Sequence, residues 1–342
     1  MDDRFDFQLV SAEFLDGEGL SYISGSYRAF GNTNTHALNG DITTGSAAAM
    51  QSRLPSYTIT QAAAVLEALA STTDHLPVVA DYQLPARMGV HVGNIPARVV
   101  RDASASVQLT VSNTAAVVAA IGADELDYSV TVSGSLIGSV TGSDAALGDG
   151  NVHSVSLETA TVGTRSGMLE VHSDSQAAAS KDFSQPVAFS VLDHAKPLFA
   201  DNPEALRLTL DFGSIERGST SEPRSFAIGN WTSELGSTAA LDLDQIVATG
   251  ESTAFTLSLG TFSNLASGSA LSFTASFTPM QLGSFNARYD LLFSDENLPG
   301  ATSLRTLQLD LVGTAIPEPV SSVLLILGLM WVSTIRRPSR GT

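Results

Sequence analysis

Leu208-Thr209-Leu210-Asp211-Phe212-Gly213, Ser225-Phe226-Ala227-Ile228-Gly229-Asn230 and the run from Leu271 to Phe277 decide the fold of this chain. In each, apolar side chains recur at alternate positions, the period of a strand with one buried face. Turn-forming Gly, Asn, Asp or Ser bound each run. Phe255 to Leu259, Ala287 to Phe293 and Leu304 to Val312 continue the pattern through residues 197–315, with Pro279 and Gly283 marking the turn after Phe277. Upstream, residues 86–196 keep the same rhythm in Val107 to Val111, Tyr128 to Val132, Val152 to Leu157, Gly167 to His172 and Val187 to Leu192. A spacing of roughly ten residues predicts an antiparallel sandwich in each segment.

The two segments share landmarks. Val111-Ser112-Asn113 stands opposite Ile228-Gly229-Asn230, and Gly163 to Leu169 opposite Gly283 to Leu291. With the opening Phe212-Gly213, Phe277-Thr278-Pro279 and the closing Gly313-Thr314-Ala315, the second segment resembles the immunoglobulin-like repeats called ASH or choice-of-anchor D domains. The first segment lacks the Phe-x-Pro. The resemblance implies two seven-stranded sandwiches in tandem, acting as spacer or adhesion modules, and supplies no chemistry.

Bulk composition narrows the function. The 342 residues are 43% hydrophobic and 15% charged, a globular balance. A net charge of −18 repels phosphate, so no nucleic-acid partner is expected. With no cysteine, disulfides and thiolate metal sites are excluded. His91, His153, His172 and His194 show no ligand spacing and read as surface or edge-strand histidines. Asp242, Asp244, Asp295 and Glu296 lack the order of a calcium loop and read as solvated turns.

Residues 316–342 have a different character. Pro317-Glu318-Pro319 precedes an apolar stretch, Val320 to Ile335, and then Arg336, Arg337 and Arg340. As a helix the stretch would reach roughly 24 Å, short of a hydrocarbon core of about 30 Å unless the arginines snorkel. The positive-inside rule would place those arginines in the cytoplasm. Tripeptide, apolar span and arginine cluster, in that order, resemble the PEP-CTERM sorting signal. That resemblance implies an exosortase and the inner membrane as partners, one C-terminal transmembrane helix, and a cell-surface destination where polysaccharide or matrix is the expected contact.

Residues 1–85 carry a third resemblance. Phe5, Phe7 and Leu9 alternate with Asp6 and Gln8 as in a strand, and the Ala/Leu-rich Ala62 to Ala70 predicts a helix. Thr73-Asp74-His75-Leu76-Pro77 then leads into a strand, Val78 to Tyr82. With Arg4-Phe5-Asp6-Phe7, this order resembles the closing part of an endonuclease/exonuclease/phosphatase domain, with Thr73 where Ser is commoner. The resemblance implies that His75 sits at a scissile phosphate, that Asp6 orients it, and that Asp74 lies beside a divalent metal such as Mg. The metal-binding Glu, the Asp-x-Asn pair and the second His of that family have no counterparts here. The remnant is therefore expected to be inactive, with no cofactor of its own and with exposed apolar faces. Met1 is followed by neither a basic nor an apolar leader region, which suits a start inside a longer reading frame.

The expected architecture is thus mainly β: a partial α+β remnant (1–85), two immunoglobulin-like sandwiches (86–196 and 197–315) and a tail with a spanning helix (316–342). The expected function is an exported surface or matrix protein processed by an exosortase. The alternative is the C-terminal part of a secreted metal-dependent phosphodiesterase or nuclease.

Overall fold

The computed structural model describes residues 7–37, 40–72 and 75–318. They fall into two compact units, one of residues 1–95, 106–157 and 166–187, the other of residues 96–105, 158–165 and 188–342.

The N-terminal part is small. Strand β1 (Arg28–Ala29) pairs antiparallel with β2 (Val78–Val79), and helices α1 (Ala47–Gln51) and α2 (Ile59–Thr72) lie between them in the chain. The Ser46 hydroxyl caps α1 by accepting from the Ala49 N–H. Met50, Ala62 and Leu66 form its buried core, with Phe30, Ile42, Leu54 and Val65 around them. The helix stands where the sequence puts it, and the strand expected over Val78 to Tyr82 is reduced to its first two residues. The strand expected from Phe5 to Leu9 does not form among the described residues: 7–10 join no sheet, and Phe7 and Leu9 are exposed.

Nine strands follow: β3 (Met88–Val92), β4 (Arg98–Val100), β5 (Ser106–Asn113), β6 (Leu126–Gly134), β7 (Leu136–Ile137), β8 (Val140–Asp144), β9 (Asn151–Leu157), β10 (Gly163–Ser173) and β11 (Asp182–Leu192). They make a four-stranded sheet, β3-β5-β9-β7, and a five-stranded sheet, β4-β11-β10-β6-β8. Alternate residues turn inward, among them Val107, Leu109 and Val111 on β5 and Leu126, Tyr128 and Val130 on β6.

The next nine are β12 (Pro197–Phe199), β13 (Arg207–Glu216), β14 (Arg224–Asn230), β15 (Leu241–Gly250), β16 (Phe255–Leu257), β17 (Phe262–Leu265), β18 (Ala270–Phe277), β19 (Gly283–Asp295) and β20 (Leu307–Ile316). Their sheets are β12-β14-β18-β16 and β13-β20-β19-β15-β17. Adding nine to every strand number of the first sandwich reproduces the second. In both, the one parallel pairing joins the second strand to the last, β4 to β11 and β13 to β20. The fold is therefore a duplication. Each copy is an immunoglobulin-like sandwich of nine strands rather than the seven implied by resemblance, because short strands add to both sheets.

The second core is aromatic. Phe255 stacks on Phe277 at 4.9 Å between centroids, and Phe285 meets Phe277 edge-on at 5.4 Å. A Cβ at Gly313 would stand 2.7 Å from the Phe277 ring, so the closing Gly-Thr-Ala begins with glycine to seat that ring. Gly163 and Gly283 open equivalent strands with φ near +125° and +129°, a region that side chains with a Cβ avoid.

The shared landmark Asn is the most constrained position. Asn230, at the end of β14, accepts from the Lys196 N–H (3.0 Å) and donates to the Ala239 and Leu265 carbonyls (2.8 and 3.2 Å). Asn113, at the end of β5, accepts from the Arg87 N–H (3.1 Å) and donates to the Asp124 and Asp144 carbonyls (2.8 and 3.5 Å). The partners are equivalent: Arg87 and Lys196 precede β3 and β12, Asp124 and Ala239 lead into β6 and β15, and Asp144 and Leu265 end β8 and β17. Both carboxamides are buried.

The expected spanning helix is corrected. Among the described residues no helix is long and apolar enough to cross a membrane. The longer of the two named helices, α2, has 14 residues, or roughly 21 Å, against about 30 Å of hydrocarbon. Val320 to Ile335 lie outside the described residues, as do Pro319, Arg336, Arg337 and Arg340.

Replacing Asn230 with Ala strands one buried N–H and two buried carbonyls. We expect a loss of about 2–4 kcal/mol in urea unfolding of the full chain, with the slope unchanged. A loss below about 0.5 kcal/mol would remove the Asn from this role.

Candidate functional site

Of the residues assigned catalytic roles by resemblance, only His75 is described. It is half-buried and stands two residues before Pro77, ahead of β2. Asp6 and Asp74 lie outside the described residues. Among those described, no group of three or more His, Asp or Glu side chains is placed to hold a metal ion. The divalent metal that the resemblance implies therefore has no acidic ligand set among the described residues. The apolar exposure expected of a remnant is present: Phe7, Leu9 and Leu15 are exposed, and Val10, Tyr22, Tyr27, Ala80 and Tyr82 line a groove of about 320 Å³.

Of the tripeptide Pro317-Glu318-Pro319, Pro317 and Glu318 directly follow β20, exposed and outside any sheet.

Two of the scattered histidines lie where the sequence puts them, at an edge strand or the surface, whereas His153, His194 and two of the acids do not. His91 is on edge strand β3 and His172 is exposed, bonded to Asp182 at 2.6 Å. His153 is partly buried against the Tyr128 hydroxyl at 2.7 Å. Asp295 and Glu296 are buried rather than solvated. Asp295 accepts from the Ala195 N–H (2.7 Å) and the Thr302 N–H (3.1 Å) and bonds His194 Nδ1 (2.8 Å). Glu296 takes both arms of the Arg98 guanidinium, at 2.9 and 2.7 Å, and the Ala240 N–H at 2.8 Å. Their lone pairs are spent on backbone and ion pairs, so neither is a ready calcium ligand.

Another site lies in the second unit. A cavity of about 460 Å³ opens beside β12, lined by Lys196, Leu198, Pro203, Trp231, Leu304 and Arg305. Its walls are held from the backbone. The Trp231 N–H donates to the Lys196 carbonyl at 2.9 Å, just after Asn230 has fixed the Lys196 N–H. Arg305 donates from Nε and Nη2 to the Pro197 carbonyl, at 2.9 and 2.6 Å, which pins its planar head. Lys196 Nζ reaches Asp193 at 2.9 Å and lies 5.1 Å from the Trp231 ring centre. Burial pushes the Asp193 carboxyl up, but the Lys196 hydrogen bond with the Lys196 and Arg101 charges outweighs it and holds the group below the usual range. The indole is nevertheless 44% exposed. The cavity presents an aromatic face, apolar walls, two cations and the Glu204 carboxylate, a composition that suits a small polar ligand.

Sequence reasoning missed this site. The available signal was Trp231 itself, one of only two tryptophans, placed next to the landmark Asn230.

No protein-family model matches the chain, and no curated protein matches its sequence. Solved structures match this chain at low TM-scores. The ASH/PapD-like domain 7 of human CEP192 is 18% identical, covering 36% of this chain and 87% of that one, with a TM-score of 0.27. CfaE, the adhesive subunit of the CFA/I fimbria of enterotoxigenic Escherichia coli, is 8% identical over 68% of this chain and 88% of its own, with a TM-score of 0.25. Domains 4 and 5 of the S-layer protein SbsC are 14% identical over 67% of this chain and 98% of theirs, with a TM-score of 0.22. At such scores the fold assignment rests on the chain's own sheet order.

One carboxylate in the first unit gives a pH test. Burial raises the pKa of Asp124; the backbone N–H groups of Gly19 and Glu125 lower it, and the charges of Asp127 and Glu125 raise it again, for a net upward shift. Its ionised form therefore costs stability at pH values above the folded pKa, and that cost disappears as pH falls through it. Asp124→Asn keeps an oxygen for the Gly19 N–H. It should stabilise the chain at pH 7, with the gain shrinking as pH is lowered into the carboxylate range. Urea unfolding across pH reads this directly, and a gain that grows on acidification would contradict it.

Proposed function

We propose that the protein is a cell-surface or matrix component whose duplicated sandwiches act as a spacer and adhesion module, delivered by exosortase recognition of Pro317-Glu318-Pro319. The observation that carries the reading is the duplication itself: eighteen strands spent on one repeated scaffold, with a ligand-sized cavity in the second unit. Repetition extends a chain without adding chemistry, which is what a spacer needs. Pro317 and Glu318 suit recognition because proline holds the backbone extended where the sheet has ended. The test is expression behind an added secretory leader and an N-terminal tag in a host that encodes an exosortase. The tagged chain should shorten at its C-terminus and become accessible to external protease. Replacing the tripeptide with three alanines should abolish both, and unchanged processing would defeat the sorting assignment.

A second reading, that residues 1–85 derive from a metal-dependent phosphodiesterase, is favoured by one observation. Helix α2, the His75-Leu76-Pro77 segment and β2 follow one another in the order the resemblance implies. Turnover would belong to an intact domain with its own Mg ligands, not to this chain. With Mg and bis(p-nitrophenyl) phosphate, the chain should show no hydrolysis above that of its His75→Ala variant. A rate that falls on that substitution would make the fragment an enzyme.

A further inference from the structure

The duplication provides an internal control for the cavity beside β12. Thr114 stands in the first copy where Trp231 stands in the second. Each follows the landmark Asn, and each donates its N–H to the residue before the edge strand, Thr114 to Arg87 (2.7 Å) and Trp231 to Lys196 (2.9 Å). The scaffold is satisfied by a threonine there. An indole left 44% exposed is therefore an addition the fold does not require.

What surrounds it selects a ligand. Arg305 has spent two of its five N–H donors on the Pro197 carbonyl and keeps the others, on a head that cannot swing away. Lys196 supplies a second positive charge, half-exposed and steadied by Asp193. Two cations at one cavity stand out on a chain with 17 basic and 35 acidic residues. Glu204, also on the rim, can accept from hydroxyl groups. Indole faces pack against apolar ring C–H surfaces, a fixed guanidinium pairs with a carboxylate, and a carboxylate side chain takes hydroxyl protons. A volume of about 460 Å³ lies within the usual range of small-ligand sites.

We propose that this cavity binds a carboxylate-bearing sugar residue of an acidic polysaccharide, with Trp231 as stacking platform and Arg305 and Lys196 holding the carboxylate. The assignment deepens the adhesion reading and rests on it. Because the chain carries a net charge of −18, an anionic polymer meets overall repulsion, so binding depends on the two cavity cations and is salt-sensitive.

The experiment is isothermal titration calorimetry on the full chain. Three acidic probes are used: oligogalacturonate, oligomannuronate, and a trisaccharide ending in N-acetylneuraminic acid. The methyl esters of the same probes serve as neutral controls. At least one acidic probe should bind saturably and its ester should bind at least about tenfold more weakly. Trp231→Thr, which installs the residue of the first copy, should abolish the heat while leaving thermal unfolding unchanged. Arg305→Gln should weaken binding about ten- to a hundredfold. No binding by any of the three probes overturns the proposal. So does equal affinity for acid and ester, or affinity retained in Trp231→Thr. Surface exposure of the tagged chain is measured separately, so a failed titration with intact export refutes the sugar site alone, and lost export refutes the surface reading.

Discussion

A single buried carboxamide organises one end of each sandwich. An edge strand has a neighbour on one side only, so hydrophobic contact alone leaves its entry free to slide. Asn113 and Asn230 remove that freedom by bonding three separate backbone segments at once: the lead-in to the edge strand, the approach to β6 or β15, and the end of β8 or β17. Burial sharpens the choice, because any shift would leave polar groups unpaired in a low-dielectric setting. The bonds recur in both copies although the flanking sequences differ, Ser112-Asn113-Thr114 against Gly229-Asn230-Trp231.

The binding cavity is built on that fixed point. Lys196 has its N–H held by Asn230 and its carbonyl held by Trp231, so the lysine and the indole inherit the precision of the peg. Arg305 then ties the next carbonyl, of Pro197. Three consecutive backbone groups are thereby immobilised beneath the cavity. A ligand meeting it would lose little to reordering of the walls, the condition for useful affinity at a small site.

Charge on this chain is spent in two ways. Buried carboxylates such as Asp295, Glu296 and Asp310 are matched to backbone N–H groups, histidine or arginine, and serve the scaffold. Asp124 keeps a backbone donor, yet burial, with the charges of Asp127 and Glu125 added, raises its pKa. At the cavity, Lys196 is paired with Asp193 and Arg305 with the Pro197 carbonyl, and both remain partly open to solvent.

Strand-by-strand alternation was sufficient to read the sandwiches, the landmark Asn pair, the glycines opening β10 and β19, and helix α2, because these depend on local period and turn chemistry. Strand β15 was not legible: a bulge between Leu243 and Gln245 breaks its alternation, so its inward residues fall out of phase. Short strands such as β7 and β12 carry too few residues to show a period. Asp295 and Glu296 read as turn residues because sequence records charge, not the partners that bury it. The cavity was invisible for the same reason, since Lys196, Trp231 and Arg305 are far apart along the chain. Only the closed sandwich brings them together, through hydrogen bonds from backbone groups that no linear pattern encodes.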